Sequence, residues 1–397
     1  MNPAINKKFN LLLYYQCALA VAAILTFFTE INSYLYKSEI STFPPLFWIS
    51  AFGLASIPLI FLQFKSLLHS LITWCFGYLF ISLLWFLILS IPGGIALEEL
   101  KKRILSVVFL SISLLFFSQN KQSQLWARRT VLITTILAVF NNIYDFLNSL
   151  AFSSLSVLGR SAGFYINPNM AGAALVLGMI FSVSLLCPKY RIPFVLVIGL
   201  GTFLTLSRGA IFGWLVVVII FVITRIIPRS QLLYWILGLG LIVIVLLPYF
   251  EDLPANFILE QNTLNRLEWL QQPSESEDSA DSRLYIAKLG WQLFTKSPFW
   301  GNGIGSTLMW NEEISTHNMY LYLMDDHGFL GVFILPLLVY AVTRKARGET
   351  KYIAWAFSIF ILLWGLFSHD ILQERYILIM FSLMAAMTRT SQLEQKF

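Results

Sequence analysis

Four side chains in this sequence combine chemical capacity with a polar setting between apolar runs: Arg160, Arg208, Arg283 and His317. A guanidinium stays charged at every physiological pH and grips phosphate or carboxylate oxygens through paired N–H donors. A neutral imidazole can take a proton from a hydroxyl. The cations suit an anionic ligand and the base a proton transfer.

Each of these residues also has a plainer reading. Arg208 stands in LTLSRGAIFGWL, between two apolar runs of about 15 residues each. Such short runs cross a bilayer as a pair only if their connection is very tight or dips inward. That puts a cation at or below the outer interface, where intramembrane charge is costly and usually functional; the alternative is an arginine snorkelling from a span end. Gly209 permits a tight turn and close approach by a ligand. Arg160 stands in LGRSAGFYINPNMAG, where Asn167, Pro168 and Asn169 read as a turn and helix cap. Arg160 and Asn169 are candidates for substrate binding, and an interfacial arginine beside a cap is an equal reading. Arg283 opens an amphipathic helix, with Asp278 and Asp281 near enough to make it a surface ion pair instead. His317 lies in STHNMYLYLMDDHGFLG, with Asn318 beside it as a further substrate-binding candidate, and a histidine at a helix start is also commonly structural. Lys101, Lys102 and Arg103 form a basic triplet that either binds phosphate or neutralises Glu98 and Glu99. His369 with Asp370 makes a second polar cluster, and His327 reads as a helix end before Gly328.

The elements that position these residues follow from composition. Of 397 residues, 57% are hydrophobic and only 12% charged, against about 45–50% and 25% in soluble domains. A soluble enzyme, a disordered chain and a nucleic-acid binder are poor fits. Twelve apolar runs are expected to span as helices: 9–29, 46–63, 67–91, 104–118, 130–150, 170–187, 192–206, 209–224, 231–248, 329–343, 352–368 and 375–388. No period-two alternation suggests a barrel. With the N-terminus inside, the inner segments hold 16 of the 27 basic residues and only Glu349 and Glu394 of the 21 acids, a balance of +14 against −8 outside. The net +6 therefore reports topology. Both termini fall on the cytoplasmic side.

The fold expected is all-α and polytopic, with about 12 transmembrane helices and one large periplasmic loop containing short helices. Residues 1–248 hold the first nine spans, 249–328 the loop, and 329–397 the last three spans and a cytoplasmic tail. Within the loop an acidic stretch, 273–281, precedes a helix capped by Asp281 or Ser282. Leu284, Ala287, Trp291 and Phe294 share one face of that helix, and Pro298 and the following glycines end it. A second loop helix is expected from about Thr316 to His327. Cys17, Cys75 and Cys187 sit in apolar runs without metal or disulfide spacing. Cys17 to Ala20 faintly resembles a signal cleavage site, but the run continues to Thr29 and reads as an uncleaved first span. There is no phosphate-binding glycine loop and no zinc-protease motif, so neither metal nor cofactor is expected.

Four segments, GFYINPNMAGAALVLG, LTLSRGA, SRLYIAKLGWQLFTKSPFWGNGIG and THNMYLYLMDDHGFLG, resemble the O-antigen ligase family, which also holds O-antigen polymerases and protein O-oligosaccharyltransferases. They occur in the family's order across roughly residues 160–345. The resemblance implies a metal-independent glycosyltransferase of the bacterial inner membrane that moves a glycan from undecaprenyl pyrophosphate to an acceptor sugar on the periplasmic side. In a ligase that acceptor is the lipid A core. It also implies catalytic roles for His317, Arg208 and Arg283. Met319 follows the His-Asn pair where the family often has an acid. A polymerase, joining one lipid-linked repeat to another, is the alternative within the class. A lipid-linked glycan transporter is the alternative outside it, and Asn141, Asn142 and Asp145 in the fifth span are its best support.

Overall fold

Lipid offers backbone groups no hydrogen-bond partner, so the apolar runs must satisfy themselves as helices. In the computed structural model every regular element among the described residues is helical. Those residues are 3–63, 69–89, 94–118, 120–148, 152, 159–231, 234, 278–309 and 316–393. The run at 231–248 and the acidic stretch up to residue 277 lie largely outside them.

The helices, in chain order, are α1 (Pro3–Ala23), α2 (Ile31–Lys37), α3 (Pro45–Leu62), α4 (Ser70–Ile88), α5 (Ile95–Phe117), α6 (Lys121–Leu147), α7 (Pro168–Ser182), α8 (Pro188–Leu204), α9 (Arg208–Ile223), α10 (Asp278–Lys296), α11 (Met319–His327), α12 (Gly331–Thr343), α13 (Thr350–Trp364) and α14 (Arg375–Leu393). Six helical stretches among the described residues are long and apolar enough to cross a membrane: Leu11–Phe28, Pro45–Leu62, Ser70–Ile88, Lys121–Leu147, Pro168–Leu185 and Met319–Thr343. Two shorter apolar helices, α9 and α13, accompany them. The protein is a multi-pass membrane protein.

Among the boundaries that differ from the sequence reading, two lie at charged segments. The run expected to begin at 104 belongs to a helix that begins at Ile95. Its charged first turns are tolerated because Lys101 pairs with Glu98 and Lys102 with Glu99 at three-residue spacing. The loop helix α10 begins at Asp278 rather than after Asp281.

The chain divides into two compact units, residues 1–131 with 276–397, and residues 132–275. In the first, α5 packs against α1, α3, α4 and α14, and α12 lies against α4, α11, α13 and α14. Gln16 on α1 donates to the carbonyls of Leu115 and Ser118, fastening the end of α5. In the second unit α7 is the core: all but two of its residues are buried. It admits α9 closely because Gly172 faces Ala210; a Cβ there would stand 2.6 Å from that of Ala210. Gly178 lies as tightly against Thr135, and Gly201 against Val139.

Candidate active site

In the first unit, α11 is launched by a backbone reversal. His317 takes φ 44°, in the left-handed region, which a non-glycine residue adopts at some cost. Asn318 then caps the helix, its side-chain oxygen accepting from the N–H groups of Tyr320 and Leu321. The Met319 N–H donates to the carbonyl of Gly365 at 2.7 Å. These bonds start the helix at Met319, three residues later than the sequence suggests, and leave His317 as a half-buried turn residue.

His317 has two charged or titratable neighbours. The ring of His369 meets it edge-on, with centroids 5.6 Å apart, and His369 Nε2 lies 3.2 Å from the carboxylate of Asp370. Arg283, on the first turns of α10, stands near enough for its charge to act on the imidazole. Burial first, then Arg283 and His369, press the His317 pKa down to about 4. The imidazole is thus neutral at physiological pH and able to accept a proton.

Helix α10 packs on α11 through Ile286, Gly290 and Phe294; a Cβ on Gly290 would collide with Leu321 and Thr316. Of the face that Leu284, Ala287, Trp291 and Phe294 share, Phe294 is buried and Ala287 half-buried. Leu284 and Trp291 are exposed and line, with Asn318, Tyr320 and Met324, a groove of about 510 Å³ beside His317.

The basic triplet divides. Lys101 is exposed against Glu98. Lys102 reaches Glu99, which also accepts from Tyr322 Oη at 2.8 Å and Gln373 Nε2 at 3.1 Å. Arg103 is 2% exposed and pairs with Asp326, with a further 2.6 Å contact to His327 Nε2. The other oxygen of Asp326 accepts from the Gly305 and Ser306 N–H groups. Arg103 is therefore committed to holding α5, α11 and the glycine loop together, and its guanidinium has no opening to a phosphate in this arrangement. The sequence reading named Glu99 only as a charge the basic triplet could neutralise, and the Tyr322, Gln373 and Asp326 contacts come from the fold. A carboxylate that will find a buried partner looks, in sequence, like any other.

In the second unit, α8 and α9 are joined by three residues, Thr205 to Ser207, with Leu206 at φ 48°. At 1.5 Å per residue each helix is about 25 Å long, short of the roughly 30 Å hydrocarbon thickness. Arg208 is the first residue of α9 and half-buried. Arg160 binds the same turn, its Nε donating to the Thr205 carbonyl at 3.0 Å and its Nη2 to Asn169 Oδ1 at 3.0 Å. Arg160, Asn169 and the turn bearing Arg208 thus form one cluster. Asn167 caps α7 as expected. Asp145 accepts from the Ala162 and Gly163 N–H groups, and the Asn142 carbonyl accepts from Ser161 at 2.6 Å. These fifth-span polar groups hold the Arg160 loop, which accounts for them without a transport pathway.

Among the described residues no three His, Cys, Asp or Glu side chains gather to hold a metal ion. No curated protein and no solved structure matches the chain. Residues 193–336 match a family model described as O-antigen ligase, and the matched stretch carries Arg208, Arg283, His317 and Asn318.

Proposed function

We propose that the protein is a lipid-carrier-dependent glycosyltransferase that moves a glycan from undecaprenyl pyrophosphate to a sugar hydroxyl of the lipid A core, on the periplasmic face of the inner membrane. The observation that carries this reading is that the family-matched stretch contains both Arg283 and His317, and that these two stand together with the imidazole neutral.

The chemistry assigned to them is direct displacement. Arg283 grips the pyrophosphate and stabilises the charge that grows on it, a role that the resemblance also gives Arg208. His317 accepts the proton of the acceptor hydroxyl as its oxygen attacks the anomeric carbon. The bond from that carbon to the phosphate oxygen breaks, the anomeric centre inverts, and undecaprenyl pyrophosphate departs. The pyrophosphate linkage supplies the driving force, so no nucleotide is consumed. Binding an anion opposite Arg283 offsets the charge that depresses His317, so the base strengthens when the donor is in place.

The test is complementation of a host lacking the gene. Wild type should restore long glycans on the lipid core, while His317→Ala, Arg283→Ala and Arg208→Ala, each present in the membrane at normal level, should not. Full complementation by all three sinks the mechanism. The null host separates ligase from polymerase: glycan chains accumulating on the lipid carrier indicate a ligase, single repeats on the lipid core a polymerase.

A further inference from the structure

A second polar site lies at the far ends of the helices that carry the His317 cluster. Helix α12 leaves α11 at Gly331 and ends at Thr343, and α14 runs from Arg375, beside Gln373, to Leu393. Either helix covers about 20–28 Å at 1.5 Å per residue. Where they end, a cavity of about 620 Å³ opens between the start of α6, the α12–α13 turn and the last turns of α14. Lys121, Arg128 and Arg347 bring three positive charges to it and Glu349 returns one. Glu349 and Tyr352 act on Arg128 from α13 and the turn before it. The rest of the wall joins Leu125, Ile353 and Met387 to neutral polar groups that include Gln124, Thr390 and Ser391, so the cavity offers both basic and apolar surface.

Three exposed aromatic rings on α6, α13 and α12 each carry a cation: Arg129 over Trp126 at 5.5 Å, Lys351 over Trp355 at 5.4 Å, and Arg344 over Tyr340 at 5.1 Å. Tryptophan and tyrosine with adjacent Lys and Arg mark the headgroup level of a bilayer. This cavity therefore sits where phosphates of lipids are, on the side that the basic-residue bias makes cytoplasmic.

We propose that this cavity binds the phosphate of an anionic phospholipid headgroup from that leaflet, with the acyl chains along Leu125, Ile353 and Met387. Basic pockets between spanning helices recognise anionic headgroups in this way. The apolar side chains in the wall and the interfacial aromatics favour a lipid over a soluble phosphate. The site is independent of the transfer reaction proposed above, since none of its residues belongs to that machinery.

Native mass spectrometry of the detergent-solubilised full-length protein tests it, with phosphatidylglycerol or phosphatidylcholine added. Phosphatidylglycerol should be retained about tenfold more strongly. Arg347→Gln and Lys121→Gln should each weaken retention about fivefold, the effect expected for one interfacial cation. Glu349→Gln, which removes the opposing charge, should strengthen it by a similar factor, so the proposal stays open to test even if a loss variant folds poorly. Lys189→Gln, the same charge change outside the cavity, should alter nothing. Equal retention of the two lipids, or variants indistinguishable from wild type, overturns the proposal. Displacement of the lipid by millimolar inorganic phosphate also overturns it and moves the site to a soluble anion.

Discussion

His317 is held as a neutral base by burial and by the charge of Arg283, and both effects have a readable consequence. Its folded pKa, about 4, lies below the ordinary histidine value. A base must be unprotonated to act, so kcat/KM should rise with pH up to about 4 and be flat above it. Arg283→Gln removes one of the charges that depress the imidazole. The acid limb should then move to higher pH, toward the ordinary histidine range, in addition to any fall in rate. A limb that stays in place in this variant would show that Arg283 does not act on His317. Arg283→Lys separates charge from shape: the limb should stay near wild type, while transfer falls by about tenfold because an ammonium lacks the paired donors of a guanidinium. His317→Ala should lower transfer by about 10²–10⁴-fold. The candidates themselves were legible in the sequence, because Arg and His between apolar runs are conspicuous. The His369 and Asp370 cluster was also visible as a polar interruption, but its nearness to His317 comes from the fold alone. Glu99 and Asp326 were not legible as organisers, since their partners lie on helices more than 200 residues away.

Helices in this protein are placed by small residues and by buried charge rather than by hydrophobic contrast, since lipid is as apolar as a side chain. Gly172 sets the approach of α7 to α9, and with it the position of Arg208 at the α9 start. Gly172→Ala brings two Cβ atoms within 2.6 Å and should lower both the thermal midpoint and activity; Ala210→Gly in the same chain should restore much of each. Absence of rescue would place the damage elsewhere. Asp326 does the corresponding work in the first unit, binding α5 through Arg103 and the glycine loop through two N–H groups. Asp326→Ala leaves Arg103 buried without its counter-charge, a loss of about 3–5 kcal/mol. The double variant Arg103→Met, Asp326→Leu should be markedly more stable than Asp326→Ala by thermal unfolding in detergent, because an apolar pair needs no partner there. Helix existence was legible throughout the described runs, since apolar stretches of that length have no other option. The early start of α5 was not, because charges that neutralise one another along a helix read in sequence as a loop.

At the scale of the whole molecule the twelve-span reading makes one strong statement: with those spans, basic residues crowd one side. The inner segments total +14 and the outer −8 in the orientation with the N-terminus inside. A reversed protein would face the cytoplasm with the His317 cluster, and a periplasmic acceptor could not reach it. The chain supplies its own probe, for Cys187 is exposed between α7 and α8 while Cys17 and Cys75 are buried. Cys187 adjoins Lys189 and Arg191, on the side expected to be cytoplasmic. A membrane-impermeant thiol reagent should therefore leave wild-type protein unlabelled in spheroplasts and label it after permeabilisation. In a Cys187→Ser background, Glu98→Cys should be labelled in intact spheroplasts, since Glu98 is exposed on the opposite side of the sequence's charge division. Gly348→Cys, beside the basic cavity, should behave as Cys187 does. The three positions together separate a reversed orientation, which exchanges all the outcomes, from a miscounted span, which moves only one of them. Exchange of all three would remove the periplasmic acceptor from the proposed reaction and would put the proposed lipid site in the other leaflet.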